Sequence, residues 1–340
     1  MSVISIITCS YNPDVRLLSR LLKAVKALQV PEGWSIEYIL VDNNSAVPLR
    51  TQEPYQTYFK ENQDWARLIF EEKAGATHGR VTAYLQSKGV IIINFDDDNE
   101  PQPDYLMQLV ALRKKYPEVG VWGPGDVTVE FVGDPEEWTR KYAMDKLQEL
   151  HLEKVAISKD FLNFEEIPFG TGMILERRVM ESYKDIYLEA EAAQIVAEGR
   201  KGKSLLCSED IQMVYMASRH DLAAGRAPGL KLKHLINEYK SNFDYIKRLY
   251  YGCSLGGFPV IAQSYPEKKL DKANPVADTL NFAFYNTYYL FKMGLLEGNF
   301  KKWQCQTAGM IATTESKYNY YGKPLPYYLK KLKNYLGLNS

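Results

Sequence analysis

The chain has 340 residues, with 42 Lys and Arg against 42 Asp and Glu. That length admits one large domain or a domain with an appendage, and 46% hydrophobic residues can build a substantial core, which excludes a globally disordered chain. A formal net charge of zero lacks the basic footprint of bulk nucleic-acid binding, so no nucleic-acid partner is expected.

Residues 3–8 form a short β-rich apolar run that ends at the turn signal Ser10-Tyr11-Asn12-Pro13. Asp14 is placed to cap a helix over residues 15–28, where Leu17, Leu18, Leu21, Leu22, Val25 and Leu28 recur at helical spacing. Residues 36–41 read as the next strand, stopping at Asp42-Asn43-Asn44-Ser45. Strand, helix, strand is a βαβ unit, which argues for a parallel sheet whose ligands bind beyond the carboxyl ends of its strands.

The rhythm continues with a strand at 68–70, a helix at 79–87 and an apolar strand at 90–95 that runs into Asp96-Asp97-Asp98-Asn99. A helix at 105–116 and a strand at 119–122 follow, then a helix over 135–149 and a strand over 167–175 carrying Gly170 and Gly172. A helix is expected over 209–224, closed by Gly225, and a late strand over 230–236. Beyond 241 the chain reads as mainly helical and rich in tyrosine and lysine.

The four cysteines, Cys9, Cys207, Cys253 and Cys305, are far apart and form no CxxC pair, so four reduced thiols in a cytosolic protein are expected. The N-terminus has no basic region followed by a long apolar stretch, and no run reaches the roughly 18–20 apolar residues of a membrane span. The expected location is cytoplasmic, with at most peripheral contact at the cytoplasmic face of the membrane. The tail residues Tyr327, Tyr328, Lys330, Lys331, Lys333 and Tyr335 suit either such contact with an anionic surface or a helix packed on the catalytic domain or a dimer partner.

Three adjacent carboxylates at the end of a buried strand repel one another, and a hard divalent cation relieves that conflict. Asp96-Asp97-Asp98 is therefore either a metal and phosphate site or an acidic turn before a helix. Asp42 fits a contact to a base or ribose, or an Asx-type turn. Glu209 and Asp210 fit general-base duty toward a hydroxyl, or simply the favourable first turn of a helix. His234, on a strand pattern, fits a third metal ligand or an ordinary hydrogen-bonded histidine.

In chain order these pieces resemble the family 2 glycosyltransferases of the GT-A fold. The matching motifs are Ile6-Ile7-Thr8-Cys9-Ser10-Tyr11-Asn12, Leu40-Val41-Asp42-Asn43-Asn44-Ser45, Gly79-Arg80, Phe95-Asp96-Asp97-Asp98-Asn99, Phe169-Gly170-Thr171-Gly172-Met173 and Ser208-Glu209-Asp210. The resemblance implies an α/β protein with a Rossmann-like, mostly parallel central sheet flanked by helices. Its catalytic domain would cover about 1–240, with a nucleotide-binding half at 1–125 and an acceptor half at 126–240, and a helical C-terminal appendage at 241–340. It implies a nucleotide-sugar donor, a UDP-sugar, bound by Ser10, Asn12, Asp42, Arg80 and Asp96. It also implies Mn²⁺ or Mg²⁺ held at Asp98 with Asp96 and His234, and sugar contacts at Gly170, Thr171 and Gly172. Asp210, with Glu209 beside it, would be the base that transfers a single sugar with inversion to a glycan or lipid-linked acceptor. The middle Asp97 departs from a simple DxD pattern, and Val81 stands where an asparagine commonly follows the arginine. The alternative expectation is a non-catalytic glycan-binding or scaffold protein on a degenerate transferase fold.

Overall fold

The computed structural model of the protein describes residues 2–192, 205 and 208–338. It divides into two compact units, one of Met1–Val132, Leu147–Glu198 and Glu209–Ile236, the other of Gly133–Lys146, Gly199–Ser208 and Asn237–Ser340.

The first unit is organised by its sheet. The strands are β1 (Ser2–Ser10), β2 (Trp34–Asp42), β3 (Ala66–Phe70), β4 (Ile91–Asn94), β5 (Asn99–Pro101), β6 (Val119–Val132), β7 (Leu150–His151), β8 (Ala156–Ser158), β9 (Met173–Glu176) and β10 (Ala223–Asn237). Their order is β3-β2-β1-β4-β9-β6-β10-β5, with β7 on β6 and β8 on β10. The parallel pairing expected of the sheet holds across β3-β2-β1-β4, while β9 runs antiparallel between β4 and β6. Strands buried on both faces carry continuous apolar runs, as in Ile91–Asn94.

Helices α1 (Val15–Lys26), α2 (Glu53–Glu61), α3 (Ala76–Gln86) and α4 (Tyr105–Lys115) belong to this unit. Asp14 caps α1 by accepting from the Arg16 amide, and Leu17, Leu18, Leu21, Leu22 and Val25 form its buried stripe. Leu18, Leu21, Leu22 and Val25 join Ile4, Ile6, Tyr38 and Ile93 in one core, each such side chain contributing about 1.5–3 kcal/mol of burial. The ends of β1, β2 and β4 consequently emerge together, and their polar residues share one edge.

After α5 (Glu137–Tyr142, in the second unit) come α6 (Arg177–Ala192) and α7 (Glu209–Tyr215). The helix expected over 135–149 is confined to α5: Ala143, at φ −131°, leaves the helical region, and the chain later pairs as β7. The helix expected over 209–224 also stops early. A 3₁₀ turn covers Met216–His220, Asp221 has φ 54°, and β10 begins at Ala223. Gly225 thus lies inside a strand, where an added Cβ would press within 2.8 Å of the Ala156 carbonyl on β8. The strand expected over 167–175 begins only at Met173, which leaves Gly170 and Gly172 in the preceding turn.

The second unit is helical, with α8 (Phe243–Leu255), α9 (Gly257–Ser264), α10 (Pro275–Tyr289), α11 (Phe300–Tyr320) and α12 (Tyr327–Tyr335). Phe282, Ala308, Ile311, Leu329, Leu336 and Leu338 form a core between α10, α11 and α12. The expectation of four reduced thiols is corrected here. Cys9 and Cys305 are free, but Cys253 is disulfide-bonded, and Cys207 lies outside the described residues. Among the described residues no helix is long and apolar enough to cross a membrane.

Candidate active site

The three adjacent aspartates after β4 are held by three different partners. Asp97 accepts from the Ser10 hydroxyl at 2.5 Å. Asp96 takes the Arg80 Nη2 hydrogen bond at 3.1 Å and lies 3.4 Å from the Thr171 hydroxyl. Asp98, buried, accepts from Asn99 Nδ2 at 3.1 Å and faces His234 Nε2 at 3.5 Å. Dividing the carboxylates among a hydroxyl, a guanidinium and an imidazole is how the loop tolerates their adjacency.

Arg80 is the hub. It sits on α3, buried, and its Nη1 donates to Asp210 Oδ1 at 2.8 Å and Glu209 Oε1 at 3.2 Å while Nη2 serves Asp96. Burial opposes its charge, but Asp210, then Asp96 and Glu209, hold the guanidinium well above the usual arginine range. One cation therefore gathers residues from α3, from the β4 loop and from the first turn of α7. Asp210 also presses on the turn before β9, so closely that a Cβ at Gly170 would overlap its carboxylate. Thr171 is buried next to it, and the Gly172 carbonyl accepts from the Tyr105 hydroxyl at 2.6 Å.

The imidazole of His234 is fixed by its other nitrogen. Nδ1 lies 2.7 Å from the Leu147 carbonyl, which can only accept, so Nδ1 carries a hydrogen and Nε2 is turned to Asp98 Oδ1. A histidine oriented through a backbone carbonyl, facing a buried carboxylate, is a donor set suited to a divalent cation that completes its shell with phosphate and water oxygens. Among the described residues no three His, Cys, Asp or Glu side chains are grouped to hold a metal by themselves. The two side chains that could hold a cation are Asp98 and His234, while Asp96 is paired with Arg80.

Asn12 and Asp42 belong to a knot of loops at the ends of β1 and β2, next to Ser10. Asn12, at φ 47°, donates its amide to Ser45 Oγ and accepts from the Ala46 amide. Asp42 is buried and accepts from the backbone amides of Ser45 at 3.0 Å and Leu49 at 2.8 Å. The Asx-type reading of Asp42 is therefore realised, whatever else the residue contacts. Asn43, which the sequence reading passed over, ties this knot to the loop before α3 through the Lys73 carbonyl and the Gly75 amide. Its signal was its place beside Asp42 at a strand end. Cys9 lies underneath, where burial pushes its thiol up to about 12.

The fold is that of the GT-A glycosyltransferases. The sequence model for Glycosyl transferase family 2 matches residues 5–180, and the chain belongs to that family. No curated protein sequence matches the chain significantly. Among solved structures it is similar to the mannosyltransferase PcManGT from Pyrobaculum calidifontis in complex with GDP-Man and Mn²⁺. The identity is 15% and the TM-score 0.56, over 94% of this chain and 88% of that one. It is also similar to S. aureus TarS 1–349, with 15% identity and a TM-score of 0.49, over 98% of this chain and 83% of that one. These likenesses concern the fold.

Proposed function

We propose that the protein is an inverting, metal-assisted glycosyltransferase that moves a single sugar from a nucleoside-diphosphate sugar to an acceptor hydroxyl on a glycan or lipid-linked acceptor. Residues 1–240 carry the reaction and 241–340 extend it. The observation that carries this reading is the convergence of Asp210, Glu209 and Asp96 on Arg80 beside the Asp98–His234 pair. This convergence supports the transferase reading over a glycan-binding scaffold, which no specific observation favours.

Asp210 is the general base. It accepts the proton of the acceptor hydroxyl as that oxygen attacks the anomeric carbon and the bond from that carbon to the diphosphate oxygen breaks. The attack comes opposite the leaving group, so an α-linked donor gives a β-linked product. Arg80 positions the base through its 2.8 Å ion pair, and Glu209 shares the same guanidinium. Asp98 and His234 would hold Mn²⁺ or Mg²⁺, and such a cation, when bound, compensates the charge of the departing diphosphate. Ser10 and Asp97 shape the end of β1 where the nucleoside rests, against the loops stapled by Asn12 and Asp42. Thr171, between Gly170 and Gly172, lines the floor for the reacting sugar. The Pyrobaculum enzyme's GDP-Man and Mn²⁺ supply the donor type and cation to try alongside UDP-sugars.

The test is transfer and slow hydrolysis of UDP- and GDP-sugars with Mn²⁺, comparing the protein with Asp210→Asn. Loss of turnover with donor affinity retained supports the base assignment; near-normal turnover removes Asp210 from that role. A product heavier by one sugar residue, rather than a ladder, supports single transfer.

A further inference from the structure

Helix α10 is built inside out. It continues through a π-helical segment, Leu290–Leu296, and two of its polar residues, Asp278 and Asn286, turn inward to α11. Asp278 pairs with Lys317 of α11 at 2.6 Å. Asn286 Oδ1 accepts from Trp303 Nε1 at 3.1 Å and from the Thr307 hydroxyl at 2.7 Å. Phe282 is the one side chain of α10 in the buried core. The opposite face carries Val276, Leu280, Phe284, Tyr288, Phe291 and Leu295, repeating every three or four residues, and all are exposed, Leu280 by 66% and Phe284 by 68%. A surface helix ordinarily shows the reverse arrangement. A contiguous apolar stripe of this kind marks an interaction surface rather than scattered surface hydrophobics.

The charge around the stripe points to its partner. Between Thr279 and Leu296 the sequence contains one charged residue, Lys292. Residues 237–340 as a whole hold fourteen Lys and Arg against seven Asp and Glu, although the full chain is balanced at 42 of each. The neighbouring α12, whose Tyr328 packs on Phe282, adds exposed Tyr327, Lys330, Lys331 and Tyr335. An apolar helix face with aromatic residues and a surrounding excess of lysine has the chemistry that seats in the headgroup region of an anionic bilayer. A like-charged second copy would have to bring two such basic surfaces together.

We propose that the outward face of α10 and its π-helical continuation is a peripheral membrane-binding surface for anionic lipid. The apolar stripe enters the boundary between headgroups and acyl chains, and Lys292, Lys330 and Lys331 meet the headgroups. This assignment is independent of the transferase chemistry, because none of its residues belongs to the active site.

The experiment is co-sedimentation of the full chain with vesicles of phosphatidylcholine alone or mixed with phosphatidylglycerol, beside light scattering for oligomeric state. The variant is Leu280→Glu/Phe284→Glu/Phe291→Glu, whose circular dichroism and melting temperature should match the parent because the replaced side chains are solvent-facing. The expected result is binding to the mixed vesicles that weakens with salt and falls about tenfold or more in the variant. Lys292→Gln/Lys330→Gln/Lys331→Gln should weaken binding to anionic vesicles and leave the residual binding to neutral ones; this second variant decides the matter if the first does not fold. A parent chain that stays in the supernatant, or either variant binding anionic vesicles as tightly as the parent, overturns the proposal. A dimer that the apolar variant splits, with no vesicle binding by the parent, overturns it in favour of a second copy.

Discussion

Asp210 occupies the space that a side chain at position 170 would need. Gly170 leaves room for this close approach, and Asp210, the proposed base, is located by the turn before β9 as much as by its own helix. Gly170→Ala should push the carboxylate away while leaving the nucleotide contacts alone. The expected result is a fall in kcat of about 10²-fold, the cost of misplacing a reacting group by about 1 Å, with donor KM little changed. Steady-state kinetics over a range of donor concentrations checks it, and equal losses in both parameters would place Gly170 in donor binding instead.

Arg80 should be the most expensive single residue of the site to remove. Arg80→Met leaves Asp96, Glu209 and Asp210 with no shared cation, and breaking a buried ion pair from one side costs about 3–5 kcal/mol. Urea unfolding measures the loss directly. Arg80→Lys should recover little, because an ammonium cannot present the planar fork that reaches both Asp210 and Asp96.

The Asp98–His234 pair predicts a cation requirement. Chelation should abolish transfer, and added Mn²⁺ should restore it. In thermal-shift measurements the Mn²⁺-dependent stabilisation by UDP or GDP should weaken at least about 10-fold in apparent affinity for His234→Gln. Full activity in excess chelator would remove the metal from the mechanism.

Much of this was legible in the chain. The apolar runs of β1, β2 and β4 each end in a polar cluster, and the stripe of α1 with its Asp14 cap can be read directly. The two- and three-residue strands β5, β7 and β8 carry no periodicity of their own and exist only through their partners. Helix α6 did have a signal, since Val179, Met180, Tyr183, Ile186, Tyr187 and Ala190 are buried at helical spacing. Gly225 misled as a helix stop because its glycine is needed for strand contact. Site residues could be listed from motifs, but their pairing could not, because Arg80 and Asp210 are separated by 130 positions and meet only through the tertiary fold.

A charge network at the register position next to His234 sets an acid response. Arg20 donates to Glu100 and Glu130, and Lys233 Nζ lies 3.0 Å from Glu130, tying α1 to β5, β6 and β10. The Arg20 hydrogen bond, assisted by Lys233 and opposed by burial, holds the Glu130 carboxyl down from 4.5 to about 2. A depressed carboxyl contributes stability that is present above its unfolded value and lost as pH falls through its folded one. Arg20→Gln should therefore be less stable than the parent near neutrality, and the gap should close between pH 4.5 and about 2. Urea titrations at stepped pH test this, and a constant gap would show that Arg20 acts through packing alone.

The separate partners of Asp96, Asp97 and Asp98 bear on how this stretch changes between relatives. A run of three identical residues invites the view that one is spare, yet each answers to a different position: Asp96 to Arg80, Asp97 to Ser10, Asp98 to His234. Substitutions should then be inherited in pairs, with residues 10 and 97 drifting together while 98 and 234 stay locked, a pattern that sequences of relatives would test.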